Sequence, residues 1–191
     1  MRLVPTEVPG VVIVEPAVFG DDRGWFSESY NEARFNAALQ AMGLPATRRF
    51  VQDNHSCSKA GVLRGLHYQL PPHPQGKLVR VVKGSAYDVA VDIRRDSPNF
   101  GRWVGVELSA ENQRQLWIPE GFAHAFLALQ DDTHFLYKTT DFYAKDCERS
   151  IRWDDPAIGI QWPLPPGLTA PLVAPKDAAA PLLAAADLPA S

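Results

Sequence analysis

From residue 49 onward the chain is cut into short stretches in which apolar and polar residues alternate, and glycine, proline, asparagine or aspartate closes most of them. The stretches are residues 49–54, 62–70, 78–82, 87–93, 103–108, 115–118, 124–129 and 135–139. Strands this short and this frequent cannot each be buried by a crossover helix. They specify a mainly β fold, a β-sandwich or jelly roll, in which alternate side chains of every strand face one interior.

Before this series, residues 11–14 are a predicted strand, and residues 19–24 turn the chain into residues 25–30 as a hairpin. One helix is predicted. Asn31 caps it, Glu32 lies in its first turn, Phe35, Leu39 and Met42 recur at helical spacing, and Gly43 with Pro45 ends it. Beyond Trp162 the chain is dominated by proline and alanine, so the tail from about residue 163 is expected to wrap the surface without regular structure and to fray after Leu182. No repeat or linker divides residues 1–191, which form a single domain.

A chain of 191 residues buries a core that needs no disulfides. Its formal charge of −3 excludes wholesale binding to a nucleic-acid backbone and leaves any anionic ligand to local cations. Cys57 and Cys147 lie far apart without a CxxC spacing, as buried or idle thiols would. The first ten residues lack an apolar signal-peptide core, and no stretch approaches the ~18 apolar residues of a membrane span. The expected compartment is the cytoplasm.

Candidate chemistry begins at Gly65-Leu66-His67-Tyr68-Gln69. Alternation puts Gly65, His67 and Gln69 on one face, expected to line the interior, and Leu66, Tyr68 and Leu70 on the other. His67 is a candidate base, and Lys77 a candidate fixed charge for an oxygen that becomes negative in a transition state. Taken singly, His67 reads as a partly buried histidine satisfied by backbone, Lys77 as an exposed lysine at a strand start, and Tyr137 as a core residue or a proton donor. Their company weighs the other way, because Arg64, Lys77, His124 and Tyr137 all fall on strands that a jelly roll brings together. A metal cage is not expected. Gln69 is a poor ligand, and the charge of Lys77 would repel a cation.

The chain resembles the dTDP-4-dehydrorhamnose 3,5-epimerase family of the cupin superfamily. The resemblance runs through Phe19-Gly20-Asp21-Asp22-Arg23-Gly24-Trp25-Phe26, Gln52-Asp53-Asn54-His55-Ser56, Leu63-Arg64-Gly65-Leu66-His67-Tyr68-Gln69 and Gln75-Gly76-Lys77-Leu78-Val79. It continues in the segment 119–126, Tyr137-Lys138, Asp154-Asp155-Pro156-Ala157-Ile158 and Pro175-Lys176-Asp177, with Ala174 where many relatives carry serine. It implies a cupin-type jelly-roll homodimer, free of metal and organic cofactor, that inverts C3 and C5 of a dTDP-linked 4-keto-6-deoxyhexose. By the same resemblance His67 is the base, Asp177 its partner, Lys77 the enolate stabiliser and Tyr137 the acid. Arg23, Glu28, Gln52, Asp53, Asn54, Arg64, Lys77, His124, Glu148 and Lys176 are implied to bind substrate, with the fork of Arg23 suited to the diphosphate.

Two other readings stand beside this one. A single-carbon epimerase or keto-isomerase on a related dTDP-sugar would need only changed pocket residues. A non-catalytic sugar-nucleotide-binding cupin would lack the base or its partners, which are present. One geometric tension also follows from the spacing. Arg64 and His67 are three apart and fall on opposite faces of a straight strand, so both reach one chamber only if the strand bulges, as Gly65 permits.

Overall fold

The computed structural model describes residues 1–189. In chain order the elements are β1 (Arg2–Pro5), β2 (Val12–Glu15), β3 (Val18–Asp21), β4 (Gly24–Ser27), α1 (Glu32–Ala41), β5 (Gln52–Ser58), β6 (Val62–Gln69) and β7 (Lys77–Lys83). They continue as β8 (Ser85–Asp92), β9 (Trp103–Ser109), β10 (Gln115–Ile118), β11 (Phe122–Ala128), β12 (Thr133–Thr139), β13 (Glu148–Ser150), β14 (Leu172–Val173) and α2 (Pro175–Ala178). The expected strands are present. β1, β13, β14 and α2, all short, are additions to what the sequence pattern predicts.

Two sheets form the sandwich. The first has the order β1-β2-β10-β7-β12-β5, and the second β13-β6-β11-β8-β9, with β14 joined in parallel to β6. Between them lies the main core, where Val79, Val81, Leu116, Ile118 and Phe135 of the first sheet meet Ala86, Ala90, Val106, Leu108, Phe122 and Phe126 of the second. Such burial is worth roughly 25 cal/mol per Å² of apolar surface removed from water. The alternating side chains are what make both inner faces apolar.

The outer faces are covered as well, which the alternation does not foretell. On the first sheet α1 lays Phe35 and Leu39 over Val12, Val14, Leu78 and Trp117. Its start is the expected one, with the Asn31 side chain accepting from the Arg34 backbone N–H at 3.1 Å. On the second sheet the outward Leu66, Tyr68, Val89, Val91 and Ala125 are covered by Ile151, Ile158, Leu183, Ala186 and Leu188. Every residue of β11 is consequently buried. The expectation of an irregular tail that frays after Leu182 is therefore corrected: the segment contributes β14 and α2, and Leu183 and Leu188 are buried. The physical reason is that an apolar outer sheet face needs a cover, and the tail supplies the leucines and alanines for it.

The strand around Val12 is an inner one, since β2 is paired on one side with β1 and on the other with β10. Of the two cysteines, both free, Cys57 is exposed and Cys147 half-buried. The β3–β4 hairpin forms as expected but pairs with no other strand among the described residues, and Phe19, Trp25 and Phe26 on it are about two-thirds exposed, at 65%, 65% and 69%.

The strand bulge required by Arg64 and His67 is present. His67 stands opposite His124, yet Arg64 stands opposite Phe126, so three steps along β6 match two along β11. The extra residue turns Arg64 to the same side as His67. Gly65, at φ +132°, occupies the bulge, where a Cβ would collide with Ala125 and the His124 carbonyl.

Candidate active site

One cleft between the sheets, a cavity of about 340 Å³, collects Asn54, Arg64, His67, Lys77, His124, Tyr137, Lys176 and Asp177. β6 and β11 of the second sheet carry Arg64, His67 and His124. β7 and β12 of the first sheet carry Lys77 and Tyr137. Because the two sheets face one another, His67 and Tyr137 approach the cleft from opposite walls.

Asp177 comes from the tail. Its helix α2, opened by Pro175 at the first helical position, seats the carboxylate 2% exposed beside β6. Asp177 Oδ1 lies 2.7 Å from His67 Nε2, and Oδ2 accepts from the Gly65 N–H at 3.3 Å. Burial raises the carboxyl's pKa, but the His67 bond and charge, the Gly65 N–H and Lys176 outweigh it and hold Asp177 below its ordinary value. A carboxylate only accepts, so the His67 Nε2 carries the proton and Nδ1 is left as the basic atom of the ring.

Lys77 is not the exposed strand-start lysine that its position suggests. It is 9% exposed, with its ammonium 6.0 Å from the centre of the Tyr137 ring. Gly76 before it leaves room for Trp117, which any side chain there would strike. Burial lowers the Lys77 pKa to about 8 against the favourable charges of Asp88 and Glu148. Burial likewise raises the Tyr137 phenol, with Arg64 pulling it down and Glu148 up, so it keeps its proton at neutral pH.

His124 is held by a residue the sequence reading missed. Its Nε2 lies 2.8 Å from Oδ2 of Asp88, a wholly buried carboxylate on β8. Burial pushes His124 down, the Asp88 charge and hydrogen bond pull it back, and Lys77 and His67 push it down again, leaving the imidazole below its ordinary value. The signal for Asp88 was its place as the lone charge in Ala86-Tyr87-Asp88-Val89-Ala90.

Several implied binding residues stand at the rim. Gln52 donates to Asn54 at 3.0 Å and accepts from the Tyr143 N–H. Glu148 takes Lys176 at 3.2 Å and the Tyr143 hydroxyl at 3.1 Å. Three are not brought to the cleft within one chain. Asp53 points to the other face of its sheet and pairs with Lys138 at 2.9 Å. Arg23 on the free hairpin pairs with Asp21, and Glu28 with Arg34. Gln69, expected to line the chamber, is instead a clamp: it donates to the carbonyls of His73 and Phe142 and accepts from the Ala144 N–H. Among the described residues no group of three or more His, Cys, Asp or Glu is arranged to hold a metal ion.

The fold and cleft define a jelly-roll protein equipped for general acid–base chemistry, with a carboxylate-held imidazole facing a phenol and a buried ammonium nearby. The family profile described as dTDP-4-dehydrorhamnose 3,5-epimerase matches residues 5–185. A dTDP-4-dehydrorhamnose 3,5-epimerase of Shigella flexneri is 58% identical over 93% of each chain. A crystal structure of a dTDP-6-deoxy-D-glucose-3,5-epimerase from Legionella pneumophila in complex with dTDP-4-keto-L-rhamnose superposes with a TM-score of 0.90 at 49% identity, covering 100% of this chain and 98% of that one. A 3'-monoepimerase from Streptomyces bikiniensis, in complex with dTDP-quinovose, gives 0.83 at 36% identity over 96% and 88% of the two chains. The chain belongs to the dTDP-4-dehydrorhamnose 3,5-epimerase family.

Proposed function

We propose that the protein inverts C3 and C5 of dTDP-4-dehydro-6-deoxy-D-glucose to give dTDP-4-dehydro-L-rhamnose. Both carbons flank the C4 ketone, so loss of a proton from either one gives an enolate with its negative charge on O4. His67 takes the proton at Nδ1, and Asp177 stabilises the imidazolium that results. Lys77 sets a positive charge, itself buried, for the oxyanion, where such a charge is most effective. Tyr137 returns a proton from the opposite wall, which produces inversion rather than retention. Arg64 and His124 line the sugar site, and Gln52, Asn54, Glu148 and Lys176 line its mouth.

The observation that carries this reading is the dyad of His67 and Asp177 facing Tyr137 across one cleft. Tyr137→Phe tests it, because the variant keeps the ring and loses only the donor. In deuterated water it should still exchange protons at C3 and C5 while formation of inverted product falls by roughly 10²-fold or more. Inversion at the wild-type rate would remove Tyr137 from the mechanism. The family match and the higher identity to 3,5-epimerases favour inversion at both carbons over the single-carbon reading.

The working unit in this proposal is a homodimer. Arg23 and Glu28 lie on and just after a hairpin that pairs with no other strand among the described residues, so they reach a substrate in the cleft of a second copy. Its compartment is the cytoplasm, in keeping with Cys57 and Cys147 remaining free thiols.

A further inference from the structure

Asp88 has no part in the reaction set out above, yet it is the carboxylate most deeply placed beside it. It is fully buried on β8, with Ala86, Val89 and Ala90 as buried apolar neighbours on the strand. Desolvating a carboxylate costs several kcal/mol unless partners compensate. One oxygen is compensated, since Oδ2 meets His124 Nε2 at 2.8 Å. The other, Oδ1, is buried without a hydrogen-bond partner among the described residues. Half of this buried carboxylate is thus without a protein donor.

The cation available is Lys77. It too is buried, it lines the same cleft as His124, and it enters that cleft from the sheet facing β8. The titratable groups that line the cleft with Lys77 are His55 on β5, Arg64 and His67 on β6, His124 on β11, Tyr137 on β12, and Lys176 and Asp177 on α2. Behind them stand Asp88 on β8, bonded to His124, and Glu148 on β13, bonded to Lys176. Asp177 is taken up by His67, and the anions that favour the Lys77 ammonium are Asp88 and, less strongly, Glu148. Glu148 already accepts from Lys176 and Tyr143, whereas Asp88 has an oxygen free. The relation is mutual: burial raises the Asp88 carboxyl above its ordinary value, and His124 and Lys77 are the two neighbours that pull it back toward the ionised form.

We propose that Asp88 is a positioning residue of the epimerisation: its carboxylate fixes the His124 ring and supplies the buried counter-charge that keeps Lys77 an ammonium where the enolate oxygen forms. The proposal rests on the reading of Lys77 as oxyanion partner. An amine that has lost its proton cannot neutralise an enolate, so a residue that never touches substrate still sets how much of the enzyme is competent at a given pH. Without Asp88, burial acts on Lys77 with only Glu148 opposing it, and the ammonium is held less firmly than in the wild type.

The test is the titration of the Lys77 ¹³Cε resonance in the wild type and in Asp88→Asn, alongside the pH dependence of solvent deuterium exchange into the substrate. The variant's Lys77 midpoint should fall by about one pH unit or more, and the alkaline limb of the exchange rate should fall with it, so that much of the lost rate returns at lower pH. An unmoved midpoint with a rate lowered equally at every pH would make Asp88 a packing residue and overturn the proposal. Should Asp88→Asn fail to fold, the wild-type Asp88 ¹³Cγ resonance decides. It must report an ionised carboxylate throughout the range in which Lys77 is charged, and a protonated Asp88 there overturns the proposal equally. Failure of the underlying reading looks different: Lys77→Met would then exchange at the wild-type rate, while the Lys77 resonance would still respond to Asp88→Asn.

Discussion

At the scale of single residues, the site depends on which hydrogen bonds fix which protons. Asp177 holds His67 Nε2 at 2.7 Å, and it is itself held ionised by that contact and by the Gly65 N–H. Its folded pKa lies below its ordinary 3.8, so its contribution to stability is fully present above about 3.8 and is lost as pH falls through the lower folded value. Asp177→Asn should therefore flatten the acid side of the stability curve, measured by urea unfolding between pH 2 and 6, and lower proton exchange by roughly 10²–10⁴-fold. An unchanged acid limb would mean that the carboxylate is not ionised against His67. Much of this was legible in the sequence, because His67, Lys77 and Tyr137 occur in strand patterns and Asp177 in a motif. Asp88 was not. Asp88 shares its face of β8 with Ala86 and Ala90, and Tyr87, Val89 and Val91 opposite are bulkier, so alternation reads the aspartate's face as the solvent side; in the fold the bulkier face is the outer one, covered by the tail, and Asp88 faces the interior. Gln69 misled for the matching reason, since parity assigns a face but cannot tell a cleft from a loop to be clamped.

At the scale of elements, local signals located α1 and all the strands but β1, β13 and β14, while the pairing that makes the cleft is long-range. Arg64 and His67 share it only through the bulge in β6, which the spacing demanded and Gly65 allows. α2 was not legible, since four residues after a run of prolines carry no helical period, and its place is set by docking against β6. Gly65→Ala should cost about 2–4 kcal/mol, because it adds a Cβ at φ +132° against Ala125 and the His124 carbonyl. Activity should fall further than stability alone accounts for, as Arg64, His67 and the Gly65 N–H to Asp177 all shift together. Thermal unfolding combined with exchange kinetics measured well below the melting temperature separates the two effects. A variant as stable and as active as the wild type would show that the bulge is not needed to aim the dyad.

At the scale of the whole molecule, one chain presents a cleft with its acid–base groups assembled, and a hairpin with nothing to rest on. β3 and β4 expose Phe19, Trp25 and Phe26 together, an apolar surface of the kind that marks an interface. Arg23 sits among them with its side chain 89% exposed beside Asp21, and it does not line its own cleft. If the hairpin of one copy completes the cleft of the other, defects in the two places complement each other in a mixed dimer. Arg23→Ala should bind the dTDP-sugar weakly and His67→Asn should be nearly inactive, each as a homodimer. Co-refolding the two in equal amounts should yield half heterodimers, in each of which one cleft has a sound His67 and a sound partner hairpin, so activity should recover to about a quarter of the wild type. A hairpin that serves its own cleft, or none, gives no such recovery. Activity on mixing that merely averages the two parents would exclude the shared site and return Arg23 to the role of an exposed turn residue.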